Sequence, residues 1–264
     1  MESGSGKTMV VAMLVVGLVI GFGMGYLIPS LATPADDYDV IIARGSIIVG
    51  TNSGWPPFEM FNTTSQTLYG FDIDLAELVA DYLGVTIDWV DMDFDGLIGA
   101  CQIGTIDMIA SATFITAARA AVLEPLAWYI RTNEVIVVRG NDTSLDSMTS
   151  LDDLIGLDVG VQTGTTEDEG ASAVSGITVH RYPIVQTMFE DLASGTLDAI
   201  FVDEPIVGLY GETYDVKIVF TLTAPPTAFY IRYGSPRLSG AINSAIAEGF
   251  ADGTIDTLIA TWFG

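Results

Sequence analysis

The stretch S-A-T-F-I-T-A-A-R at 111–119 ends in an arginine, Arg119, with no acidic residue within four positions on either side. A charge on a surface helix is normally paired locally, three or four residues away. Here the partner has to come from elsewhere, and a guanidinium is well shaped to grip a carboxylate through two parallel hydrogen bonds. A second anion-binding candidate is Gly164-Thr165-Thr166, which follows a strand-like run (DVGVQ) and opens a helix rich in early acids. Backbone N–H groups and hydroxyls at such a turn can hold a carboxylate, or can serve as an ordinary helix cap. Acidic pairs such as Asp203-Glu204 could in principle serve a glycosidase, but a chain with 34 Asp and Glu contains many such pairs.

Other chemistry is scarce. His180 is the sole histidine and sits in a strand-like run (ITVHRY), where a packed or surface side chain is the simpler reading than a general base. Cys101 is the sole cysteine, which rules out an intrachain disulfide, a multi-cysteine zinc site and a Cys-anchored lipoprotein terminus; it reads as a small core residue on a helix. No nucleophile elbow or metal-spaced histidine pair is present. The run from Asp91 to Gly96 (DMDFDG) matches the start of a calcium loop, but the glutamate required later is Gln102, and the preceding VTIDWV alternates like a strand. Asp95 is expected instead to cap the next helix. The G-S-G-K-T at 4–8 lacks the first glycine and the preceding strand of a phosphate loop. No metal, cofactor or catalytic residue is implied, so binding is favoured over catalysis.

The elements that would position these residues alternate. Strands are expected at 46–51, 85–90 and 108–110, with helices at 72–83 and 95–102 between them, a compact βαβαβ half. After 134–138 the pattern restarts: helices near 150–155, from 166 and at 185–193, strands at 158–161, 177–181 and 199–202. A strand at 228–232 and helices at 236–251 and 254–262 close the chain. The class is α/β, in two lobes with a cleft between them.

Composition bounds the setting. The 264 residues carry a formal charge of -25, with 9 Lys and Arg in total. Nucleic acid, which needs a basic footprint, is excluded as a partner. The carboxylate excess suits a salty environment in which self-repulsion is screened. Residues 9–28 form an uncharged apolar run long enough to cross a membrane as one helix. Lys7 precedes it and acids follow, so residues 1–8 are expected in the cytoplasm and the bulk of the chain outside. The length favours an uncleaved anchor over a removed signal, with secretion or a periplasmic location if it is cleaved. Residues 29–45 read as a linker, and Asn62 and Asn141 open sequons.

The order of the motifs says more than any one of them. G-T-x-x-x-W-P-P-F-E (50–59), G-F-D-I-D-L-A (70–76), D-G-L-I (95–98), I-D-M-I-A-S (106–111), T-x-x-R (116–119), V-G-V-Q-x-G-T-T (159–166), L-D-A-I-F-V-D (197–203) and A-D-G-T-I-D-x-L-I-x-x-W-F-G (251–264) appear in sequence. Together they resemble the family 3 extracellular solute-binding proteins of polar amino-acid ABC importers, over nearly all of 46–264.

The resemblance implies the two-lobed periplasmic-binding-protein fold with two hinge crossovers, the first lobe being 46–138 plus 223–264 and the second 139–222. It implies that Arg119 grips a ligand carboxylate, with Thr166 and Thr165 joining from the second lobe, and that Asp203 takes the ammonium. Asn52 and Trp55 fall where the first loop meets ligand, and Ser111 where the arginine's stretch begins. Where the family pattern has Ser or Thr, this chain has Phe114. With Trp55, Phe58 and Phe94 that ring could enclose a cation, so an ectoine- or betaine-like compatible solute stands beside an amino acid, basic ones included. The implied partners are a small zwitterion, an ABC permease and its ATPase. A ligand-sensing ectodomain and a dehydratase of the same fold are the alternatives.

Overall fold

The computed structural model describes residues 36–264. The anchor expected at 9–28 and the N-terminus at 1–8 lie outside the described residues, and among those described no helix is long and apolar enough to cross a membrane.

The stretch expected to be a linker is, in its second half, a helix, α1 (Asp37–Arg44). Local chemistry accounts for it. The Asp36 side chain accepts from the Tyr38 N–H, acids occupy the first turn, Arg44 the last, and Gly45 at φ 79° terminates it. Ile41 is the buried contact. The helix is clasped to the C-terminal part of the chain by an Asp37–Arg232 ion pair at 2.7 Å, an Asp39–Arg237 pair, and the Arg237 guanidinium 4.7 Å over the Tyr38 ring.

The first lobe continues with β1 (Ser46–Thr51), the hairpin β2 (Met60–Asn62) and β3 (Thr67–Tyr69), α2 (Phe71–Leu83), β4 (Thr86–Asp91), α3 (Phe94–Ile103), β5 (Met108–Ile109), α4 (Ala117–Ala120) and β6 (Glu124–Ile130). The second comprises β7 (Asn133–Arg139), a 3-10 turn Leu151–Leu154, β8 (Asp158–Gln162), α5 (Thr166–Ala173), β9 (Thr178–Tyr182), α6 (Val185–Ser194), β10 (Ala199–Asp203), α7 (Glu204–Tyr210) and β11 (Val216–Thr223). The chain returns through β12 (Thr227–Ile231), α8 (Pro236–Ala251) and α9 (Thr254–Phe263).

Two five-stranded sheets result, ordered β4-β1-β5-β12-β6 and β11-β7-β10-β8-β9. Each holds three parallel strands with the first of them in the middle, followed by an antiparallel strand. The helical connections leave the central strand in opposite directions, which opens a crevice at the carboxyl ends of β1 and β5, and again at those of β8 and β10. Strand β7, read from sequence as the end of the first lobe, pairs wholly within the second sheet, with β10 and β11. The first crossing therefore lies at 131–132, not at 138, and the return lies at 224–226. The continuous apolar run EVIVV could end one lobe or begin the next, and only its pairing decides.

A glycine in each central strand lets the crossover side chains approach. A Cβ at Gly50 would lie 2.3 Å from Ile106 Cδ1, and one at Gly160 would lie 2.5 Å from Leu197 Cδ1. Overpacking of this kind costs about 1–3 kcal/mol. Gly50→Ala and Gly160→Ala are each expected to lower the thermal midpoint by several degrees, measured by circular dichroism; unchanged melting would contradict the close packing.

Candidate functional site

The carboxyl ends of the parallel strands face one another across the lobes and enclose a small cavity. From the first lobe Trp55, Glu59, Phe94, Ser111, Ala112, Phe114 and Arg119 line it; from the second, Gln162, Thr165, Thr166, Glu167 and Asp203. Eight of the ten residues named from sequence line this cavity.

The other two have different work. Phe58 is fully buried in an aromatic core, its ring edge-on to Phe71 at 6.2 Å and to Phe263 at 5.1 Å, and it does not line the cavity. The Asn52 carboxamide latches the lobes together: its Oδ1 accepts from Gln162 Nε2 at 2.7 Å and its Nδ2 donates to the Met92 carbonyl at 2.8 Å. Of the two threonines, Thr165 caps α5, accepting from the Asp168 N–H and donating to the Gln162 carbonyl. Its hydroxyl is thereby engaged, whereas Thr166 lines the cavity with its hydroxyl donating to Glu167.

Arg119 is 6% exposed, and among the described residues no carboxylate lies within ion-pair distance of it. Burial lowers its pKa. The guanidinium is held from three sides: Nη1 donates to the Phe114 carbonyl at 3.1 Å, Nη2 to the Gly164 carbonyl of the other lobe at 3.4 Å, and its Cζ stands 5.4 Å over the Phe94 ring. Phe94 thus offers its face to the arginine. Phe114 is also fixed by its backbone, which accepts from the Tyr230 hydroxyl.

Asp203 opposes it, 2% exposed, accepting from Trp55 Nε1 at 3.0 Å through Oδ2 while Oδ1 has no partner. Burial, reinforced by Glu167, pushes its pKa well above the usual carboxylate range. Glu59 accepts from the Ser111 hydroxyl at 2.9 Å, and burial with the Asp72 charge raises it likewise. Asp72, in the first turn of α2, is buried beneath the arginine's stretch. It accepts from the Ala112 N–H and the Tyr129 hydroxyl, both at 2.8 Å, and burial raises it to about 7. That bond holds Ala112 at φ 44°, a left-handed conformation costly for alanine.

Sequence reading missed Glu59, Ala112, Gln162 and Glu167 as cavity residues. Glu59 and Gln162 are themselves letters of the quoted motifs, and Ala112 and Glu167 each adjoin one, which was the available signal. The capping position of α3 is Asp93, with Asp95 in its first turn. Asp91 accepts from the Ser53 hydroxyl and N–H. His180 pairs with Asp158 on the neighbouring strand at 2.7 Å, and burial pushes the Cys101 thiol up to about 12.

Residues 47–264 match the bacterial extracellular solute-binding proteins, family 3. The L-cystine-binding protein TcyJ of Escherichia coli K12 is 29% identical over 266 residues, covering 98% of this chain and 96% of that protein. Among solved structures, the P235GK mutant of ArgBP from T. maritima aligns with a TM-score of 0.82 at 34% identity, covering 86% of this chain and 98% of that one. The ancestral amino acid-binding protein AncCDT-1, a precursor of cyclohexadienyl dehydratase, aligns at 0.80 with 31% identity, covering 87% and 100%.

Two outcomes follow from the geometry. A Cβ on Gly164, already at φ 79°, would lie 2.9 Å from the Asp95 Cβ across the cleft, so Gly164→Ala should prop the lobes apart. Ligand affinity is expected to fall about tenfold or more while circular dichroism stays native; undiminished affinity would contradict the lobe contact. Burial first, then Glu167, raises Glu134 to about 7, with Thr166 and Arg119 opposing the shift. A carboxyl raised on folding binds more protons in the native state, so its contribution to stability is greatest below about pH 4 and declines by up to about 1.4 kcal/mol per pH unit toward pH 7. Glu134→Gln should flatten the fall in melting temperature over that window, and an unaltered slope would contradict the assignment.

Proposed function

The chain belongs to the bacterial extracellular solute-binding proteins, family 3, and from that membership we propose that its lobes close on a free amino acid, Arg119 holding the α-carboxylate and Asp203 the α-ammonium. One observation carries this reading: a buried guanidinium without a carboxylate partner and a buried carboxylate with a partnerless oxygen line the same cavity from opposite lobes. Buried charges are costly unless paired, and one zwitterion satisfies both. Two of the similar proteins are named for L-cystine and for amino-acid binding.

Capture proceeds in the order that the lobes dictate. The solute's carboxylate meets Arg119 on the first lobe, where Phe94 and the Phe114 carbonyl already orient the guanidinium. Closure brings Thr166 and Asp203 over it, and the lobe-to-lobe bonds Gln162–Asn52 and Trp55–Asp203 form only in the closed state. The solute shifts the population toward closure by as much as it prefers that state. The closed form is then the one presented to an ABC permease and its ATPase, outside the cytoplasm, with residues 9–28 holding the chain at the membrane.

With Phe58 in the core and Phe94 supporting the arginine, Trp55 and Phe114 are the rings left to face the solute. A quaternary ammonium also has no N–H to give to Asp203. Both points favour an amino acid over a betaine-like compound.

Arg119→Ala is expected to lower amino-acid affinity by about tenfold or more, the scale of a lost charge-assisted hydrogen-bonded pair. A thermal-shift screen of the amino acids, betaine and ectoine would select the ligand for calorimetry, since a specific solute raises stability by mass action. Equal affinity in the variant would sink the carboxylate clamp, and conversion of the solute, read by mass spectrometry, would replace capture with turnover.

A further inference from the structure

The assignment of Arg119 and Asp203 above uses one cationic and one anionic group of the ligand, but the site holds more negative charge than that. Glu59, Glu134, Glu167 and Asp203 are each at most 9% exposed, and each keeps one carboxylate oxygen without a hydrogen-bond partner. Glu59, Glu167 and Asp203 line the cavity. Glu134 stands directly opposite Asp203 in the β7–β10 ladder, so the two side chains leave the same face of the second sheet. Glu167 follows Thr166, and its charge bears on both Glu134 and Asp203. The second lobe thus presents three clustered carboxyls, and the first adds Glu59. Arg119 is the one basic side chain among the cavity-lining residues.

Four orphaned carboxylate oxygens need N–H donors. An α-ammonium supplies three and is committed to Asp203 and its surroundings; a distal guanidinium or ammonium supplies three to five more. Resting on the assignment of Arg119 and Asp203, we propose that Glu134 and Glu167, with Glu59 closing from the first lobe, form a second cation subsite, and that the captured solute is an amino acid whose side chain ends in a guanidinium or ammonium. A neutral side chain would leave these acids buried and unpaired, a penalty that discriminates more strongly than an added attraction. Burial raises Glu59, Glu134 and Asp203, so pairing with the cationic side chain also releases protons from them to solvent.

The test is calorimetry on the full chain with matched pairs, arginine against citrulline and lysine against norleucine, repeated in buffers of different ionisation enthalpy. The cationic member is expected to bind about a hundredfold more tightly and to release protons, its neutral partner fewer. In the double variant Glu134→Gln, Glu167→Gln, checked for a native circular-dichroism spectrum, the preference should shrink about tenfold or more; Glu134→Gln alone gives a smaller change in the same direction and serves if the double variant fails to fold. Equal affinity for both members of a pair in the wild type, or an undiminished preference in the variants, overturns the second subsite while leaving the zwitterion clamp standing. Failure of every amino acid to bind overturns the clamp itself.

Discussion

A buried charge must be neutralised or stay in water, and the two lobes are built so that neither can neutralise its own. Arg119 sits on the first lobe without an acid near it, and the crowd of carboxyls around Asp203 sits on the second. With the lobes apart, water solvates both. On the reading proposed above, closure strips that water away and is favourable only when something of complementary charge is trapped between them. The remaining features of the site serve this arrangement. Phe94 and the Phe114 carbonyl keep the guanidinium aimed while it is empty-handed, and Trp55 holds one oxygen of Asp203 so that the other faces the cavity.

The sheets deliver these groups by geometry rather than by chemistry. In both lobes the three parallel strands run with the first in the middle, so the loops at their carboxyl ends diverge and leave a crevice. Two crevices placed mouth to mouth make one cavity. The antiparallel strands beside them, β12 and β7, run directly on from the crossings, and their residues report the relative position of the lobes to the site: Glu134, one residue into β7, is in register with Asp203. A shift at the crossover therefore reaches the strand position beside Asp203.

Much of this was legible in the sequence because it depends on periodicity and order. The strands and helices of both halves, the isolation of Arg119 and the succession of motifs all follow from local spacing. What was hidden depends on partners far along the chain. Phe58 and Phe94 look alike in sequence, yet one meets Phe71 and Phe263 in the core and the other meets a guanidinium. The apolar run of β7 is compatible with either lobe. Helix α1 is short, acidic and next to two prolines, and only its clasp to Arg232 and Arg237 fixes it. Glu59, Glu134 and Glu167 were lost among 34 acids, since burial, which makes an acid informative, is a property of the fold and not of the residue.

The same clasp bears on how the molecule comes into being. The second sheet is drawn from one continuous stretch, β7 to β11, whereas the first is assembled from both ends of the described residues: among them β6 pairs with no strand but β12, and the partners of α1 stand at 232 and 237. Non-local pairing carries the loop-closure cost of everything between. As the chain leaves the ribosome the second lobe can complete itself while the first still lacks its last strand and two helices. The lobe that holds Asp203 is thus ready early, and the lobe that holds the arginine is sealed only when β12 and the helices after it arrive.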